Sequence, residues 1–321
     1  MRKVAFILSF FCAVTVYAQQ EDEVRNNLLK GTSDEDGYLS IERRNIVPEK
    51  SIVFNLGYNI PFVSNSLINS DFWDKKMGTG IELGVDFRKQ FQSKKIEDEY
   101  VISVPQSFAI GAGLGISYFH QSAKFENFSE VLSNYTDVDG DVCNINLSYQ
   151  NVEESVSLAY LDVPLYFEIG KPSQTKTSAY FKLGLKASLL IFEKFSGTGT
   201  YTSTGSYSGW NATLHDIPVL DYYTDKPCYD NPEYELSPFV LWGTVAGGVN
   251  FSLSSIEKNE LSAWILRISA KADYSLTPVS KALPDSRFSG SAYRLNQSNL
   301  LGGDGSKMFS VGLSLGLIYC F

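Results

Sequence analysis

Histidine and cysteine, both much used in metal binding and catalysis, are scarce: the 321-residue sequence has two histidines, His120 and His215, and four cysteines. Neither histidine stands in a cluster with ligand spacing, so no metal site and no cofactor is expected. No glycine cluster, Gly111-Ala112-Gly113 included, precedes the Lys-Ser/Thr of a phosphate loop. Basic charge is short as well: 27 Lys and Arg stand against 36 Asp and Glu, a formal charge of −9. An acidic chain has no electrostatic footprint for nucleic acid, and none is expected as a partner. The cysteines are too few for a disulfide framework. A single Cys143–Cys228 bridge stays open in an oxidising compartment, with Cys320 left over.

The N-terminus reads as a leader. Arg2 and Lys3 precede an apolar stretch from Val4 to Val16, and Val16-Tyr17-Ala18 supplies a cleavage site, so residues 1–18 form a signal peptide cut after Ala18. The run is shorter than the roughly 20 apolar residues of a spanning helix. Ser9-Phe10-Phe11 before Cys12 is too bulky for a lipoprotein signal. Loss of Arg2 and Lys3 takes the charge to −11. Residues 19–50, with Glu21-Asp22-Glu23 and Asp34-Glu35-Asp36, bury little apolar area and read as a flexible periplasmic arm.

Also missing is a dominant helical repeat. From residue 51 onward the apolar residues recur at every second position. Phe309, Val311, Leu313, Leu315, Leu317, Tyr319 and Phe321 form one face of the last segment, opposite Ser310, Gly312, Ser314 and Gly316. Trp264, Leu266, Ile268, Ala270, Ala272 and Tyr274 alternate with Arg267, Ser269, Lys271 and Asp273. Six more such segments begin at Ile52, Ile81, Phe108, Leu161, Phe181 and Phe239. Residues 101–123 and 236–256 are uncharged over lengths that suit spanning helices, but alternate apolar positions scatter around a helix. Glycines at 111, 113 and 115 are also costly in a helix interior. Eight strands with aromatic ends, long odd-numbered connections and short even ones predict an all-β fold: an antiparallel transmembrane barrel over residues 51–321 in the bacterial outer membrane. Lipid and lipopolysaccharide are then its surroundings. Two short strands hidden in the long loops, for instance around Asn144 to Tyr149, are the route to ten strands instead of eight.

Projecting the alternation inward places Glu82, Asp86, Asp162, Glu168 and Asp273 in the lumen with Arg88, Lys182, Lys186, Arg267 and Lys271. Five acids meet five bases in a barrel just wide enough for side chains, so an ion-pair network is expected to fill it, with Phe119 and Trp242 as further fillers. A water-filled porin needs about 16 strands. The third outer loop, about residues 195–237, holds Tyr201, Tyr207, Trp210, Tyr222, Tyr223 and Tyr229. These suit sugar stacking or protein contact, or they pack the loops together. Asp137, Asp139 and Asp141 imitate the start of a calcium loop, but Val142 and Ser148 stand where Gly and Glu are required. His215-Asp216 among Ser203, Ser206 and Ser208 evokes a hydrolytic rim site, although a triad is set by geometry and no enzyme is expected.

Gly111-Ala-Gly-Leu-Gly-Ile-Ser-Tyr-Phe119 and Tyr160-Leu-Asp-Val-Pro-Leu-Tyr-Phe167, together with the leader, resemble the PorT-like outer-membrane β-barrel families of Bacteroidetes. The second segment is similar to the Tyr-Leu-Glu-Ile-Pro-Leu pattern of that group. The resemblance implies an outer-membrane barrel, and some relatives assist protein secretion or gliding. The insert-sized third loop departs from the compact family pattern. The expectation is a non-enzymatic barrel with an occluded lumen, whose outer loops bind an envelope protein or glycan. A narrow channel or a secretion or transport accessory is the alternative.

Overall fold

The computed structural model describes residues 50–64, 73–92, 107–125, 127–170, 177–229, 234–253, 263–281, 298–301 and 305–321. The expected leader and arm lie outside the described residues, except Lys50, which opens the first strand. Eight strands form a closed antiparallel ring: β1 (Lys50–Ser64), β3 (Thr79–Gln92), β4 (Ser107–Phe125), β6 (Val142–Gly170), β7 (Thr177–Tyr207), β10 (Phe239–Ser252), β11 (Ala263–Ser275) and β12 (Lys307–Cys320). The ring shuts because β12 pairs with both β11 and β1, from Ser51↔Cys320 to Ser64↔Lys307. Four short strands lie outside it: β2 (Trp73–Lys75), β5 (Phe128–Thr136), β8 (Ala212–Leu214) and β9 (Tyr223–Pro227). Residues 144–149 do not add a ninth or tenth barrel strand. They continue β6 upward, so the ten-strand alternative falls.

Each strand is sorted by its surroundings. Leu56, Leu83, Leu114, Leu165, Leu183 and Leu315 all point outward and are about half exposed, forming an apolar belt that a water-soluble protein would not tolerate. Aromatic girdles close both edges of this belt. Phe91, Phe108 and Phe167 stack in a row at one end, where Trp264 meets Tyr319 at 4.8 Å and Tyr319 meets Phe321 at 6.0 Å. Phe62 and Phe309, 6.4 Å apart, belong to the other end.

One strand records where the bilayer stops. Along β6 from Leu161 to Ile169, apolar side chains face out while Asp162 and Glu168 face in. From Cys143 to Tyr160 the polarity is inverted: Ile145, Leu147, Val156 and Leu158 are buried, and Asn144, Asn146, Ser155 and Ser157 face outward. Lipid rewards grease on the outside and water rewards it on the inside, so the reversal marks the membrane surface near Tyr160. Above it, β6 and β7 rise together with β5, β8 and β9 into an outer head. Its dry core contains Phe119, Phe125, Ile145, Leu147, Tyr149, Val156 and Leu158 with Leu300 and Leu301. Burying each Leu or Ile there stabilises the head by about 1.5–3 kcal/mol, which is why these outer segments are ordered.

Candidate functional site

The lumen is built on an asymmetric wall. Gly316, Asn55, Gly84 and Gly115 lie in register across β12, β1, β3 and β4, so one side of the barrel carries little side-chain volume. Long charged chains from β7 and β11 fill the space this leaves. At Gly111 the need is specific: a Cβ there would sit 2.2 Å from the Tyr166 ring, which lies across that position.

All ten of the expected charged residues meet in the lumen, in two tiers. In the tier nearer the short turns, Glu168 accepts both Nη atoms of Arg267 at 2.8 and 2.9 Å and pairs with Arg88 at 3.0 Å. Arg267 also donates to Asn250 at 2.8 Å and lies 3.8 Å from the Tyr180 ring, while Arg88 donates to Gln90 at 2.9 Å. In the tier nearer the head, Lys186 contacts Asp273 at 3.1 Å, Glu82 at 3.8 Å and Asp162 at 3.9 Å. Lys271 bridges Glu82 and Asp273, and Lys182 pairs with Asp86 at 3.6 Å while lying 3.6 Å over the Tyr166 ring. Asn55 and Asn59 donate to Asp86 and Glu82 at 3.0 and 3.3 Å.

Above the charges sits an aromatic lid. Phe119, Tyr160 and Trp242 are fully buried, with centroids 6.0–6.2 Å apart, and Lys186 lies 5.2 Å from the Trp242 ring. One cavity among the charged groups is about 70 Å³, room for a few waters.

The outer aromatics are placed differently from a ring of exposed contacts. Tyr201, Tyr207 and Tyr222 are buried in the head core, which corrects their expected role as loop binding groups: their apolar faces are already covered. A Cβ at Gly205 would lie 2.1 Å from the Tyr222 hydroxyl, so glycine makes the niche for that ring. Tyr223 is half-buried beneath Lys226, and Tyr229 donates to Glu154. Trp210 alone of the six is largely exposed. Composition reveals the aromatics but not their direction, because β7 runs 17 residues further than its lipid-facing part, from Ile191 to Tyr207.

Glu154, which carried no sequence signal, is a clasp for the head. Its carboxylate accepts from Asn299 backbone and side-chain nitrogens at 3.0 and 2.9 Å, Leu300 N at 2.9 Å, Ser298 at 3.3 Å and Tyr229. It thereby ties residues 298–301 and Tyr229 to β6. No Cys143–Cys228 bridge is formed; the Cys143 sulfur lies 3.4 Å from the Tyr222 hydroxyl. The Ser203 hydroxyl is engaged by the Asp221 carbonyl and the Tyr223 N–H, and Ser206 accepts from Asn146. His215 makes no serine hydrogen bond among the described residues, so the imagined rim triad is not assembled. His120 instead meets Ser157 at 2.9 Å.

Asp137 is used by its own turn. Its carboxylate accepts from Asp139 N at 3.0 Å, Asp141 N at 2.9 Å and the Tyr207 hydroxyl. Desolvation pushes this carboxyl up, but the Tyr207 hydroxyl and the turn's N–H groups outweigh it and hold the group below the usual carboxylate range. Burial, helped by Asp137 and Tyr222, pushes the Tyr207 hydroxyl well above its ordinary value and keeps it protonated. A depressed carboxyl contributes stability that is present above its unfolded pKa, about 3.9, and lost as pH falls through the lowered folded value. Trp210 stacks on Tyr207, so its fluorescence, taken against a Trp210→Phe background, is expected to stay constant down to about pH 4 and to change only below. Tyr207→Phe should move that transition to higher pH; an unmoved transition would break the link.

A closed eight-stranded ring with a greasy exterior, two aromatic girdles and a charged interior defines an outer-membrane β-barrel. The family model described as "Outer membrane protein beta-barrel domain" matches residues 48–281, and the chain belongs to that family, in the bacterial outer membrane. Among solved structures, Ail, the attachment invasion locus protein of Yersinia pestis in complex with the heparin analogue sucrose octasulfate, is 12% identical. The alignment covers 84% of this chain and 99% of that one, with a TM-score of 0.26. OmpT, an outer membrane protein of Vibrio cholerae folded in vitro, is 9% identical over 83% of this chain and 97% of its own, with a TM-score of 0.08. Neither likeness bears on function. No curated protein matches the chain.

Proposed function

We propose that this protein is a non-enzymatic outer-membrane anchor, exported with removal of residues 1–18, whose plugged stem carries a rigid head as a docking platform for a partner outside the cell. The supporting observation is the lumen: ten paired charges lie beneath an aromatic lid, around a cavity of about 70 Å³. Such an interior opposes passage of hydrated ions, since a conducting path needs charges that water can reach and an unobstructed bore. The strand segment Tyr160 to Phe167, with its PorT-like pattern, favours an envelope accessory over a porin.

The test is single-channel recording of the refolded protein in planar bilayers. No stable current steps above background are expected. Reproducible steps well above background would overturn the plugged stem and restore the narrow-channel alternative.

A further inference from the structure

The head carries a surface that neither the lumen nor the head core uses. Two hairpin turns meet at its tip, far from the membrane: residues 137–141 between β5 and β6, and residues 208–211 between β7 and β8. They lie side by side because Asn144 registers with Ser206 and the Tyr207 hydroxyl donates to Asp137. Trp210 stacks flat on Tyr207, with centroids 5.0 Å apart and planes at 11°, yet remains 61% exposed. Val138 and Val142, on the neighbouring turn, are 67% and 60% exposed.

Single exposed apolar residues are ordinary, but here three stand on two adjoining turns and one of them, Trp210, is held by its support. Tyr207, the platform under Trp210, is buried and hydrogen-bonded to Tyr222 at 2.7 Å, which contacts Cys143. A tryptophan held in place by its support loses little entropy on binding, which is the property of an interface anchor.

The surrounding charge selects the occupant. Residues 127–158 and 193–229 hold ten Asp and Glu against two Lys and no Arg. Of those two lysines, Lys226 is laid over the Tyr223 ring at 3.6 Å. Asp139 and Asp141 are exposed in the turn beside Trp210. Such a field repels phosphate and sulfated sugars and steers cations toward the tip.

We propose that the tip is a docking surface for a basic polypeptide segment. An apolar side chain of the partner seats on Trp210, and its Lys or Arg side chains pair with Asp139 and Asp141. The proposal rests on the docking-platform reading and supplies the class of partner.

The test uses the whole refolded barrel in detergent and three probes: a Lys/Leu peptide, a Gly/Ser peptide of equal length and a neutral dextran. The Lys/Leu peptide is expected to bind, to weaken with salt, and to lose about tenfold in affinity with Trp210→Ala. Asp139→Asn with Asp141→Asn should weaken it further, with heat-modifiable gel migration unchanged in every variant. Lys/Leu binding that ignores Trp210→Ala is generic charge attraction and overturns the proposal. Trp210-dependent binding of dextran or the Gly/Ser peptide, without the Lys/Leu peptide, overturns the partner class and leaves the platform standing. Failure of all three probes removes the docking surface itself.

Discussion

Replacing Glu168 with leucine is expected to destabilise the folded barrel by about 3–5 kcal/mol, measured by urea unfolding in a lipid or detergent host. The carboxylate is 2% exposed and stands between the guanidiniums of Arg88 and Arg267, which then face each other without a counter-charge. In a nearly dry lumen neither cation regains the hydration it gave up on folding, so the cost is that of an unpaired buried charge and not of one lost salt bridge. Converting Arg88 and Arg267 to leucine in the same chain should recover most of the loss, because the desolvation penalty leaves with the charges. A Glu168→Leu barrel within about 1 kcal/mol of the parent would mean that water reaches this tier, and the plugged stem would fail with it.

The second large effect is a contrast along one face of one strand. Leu165→Lys on β6 should cost about 2–4 kcal/mol, since it places an ammonium at mid-height against acyl chains. Ser155→Lys, ten residues earlier and also outward-facing, should stay within about 0.5 kcal/mol, because that part of the strand stands in water. Equal costs at the two sites would place the membrane boundary somewhere other than Tyr160.

These two expectations divide what was legible from what was not. Each lipid-facing residue of a barrel meets the same solvent whatever its partner strand, so the period of two in segments such as Trp264 to Tyr274 announces both the strand and its inward set. That is why all eight ring strands, and the parity of the ten charged residues, can be read before any coordinates. The head escaped the same treatment for a local reason. Gln150 and Asn151 form a bulge, with Asn151 at φ 51°, so the inward positions step from Tyr149 to Val152 and the alternation slips by one. Beyond that slip the sign of the rule also reverses, and a strand in water resembles a loop to anyone expecting grease on the outside.

The amino-acid order alone therefore determined the number of barrel strands, their greasy faces and the neutral sum of charges between them, because contact with lipid acts on each residue separately. Which acid meets which base, that Tyr201, Tyr207 and Tyr222 turn inward while Trp210 does not, and that Glu154 fastens residues 298–301 to β6 were decided only by the tertiary structure. Those outcomes depend on strand register and on bulges, and register brings together residues far apart in the chain, as with Glu82 and Lys271, 189 positions apart.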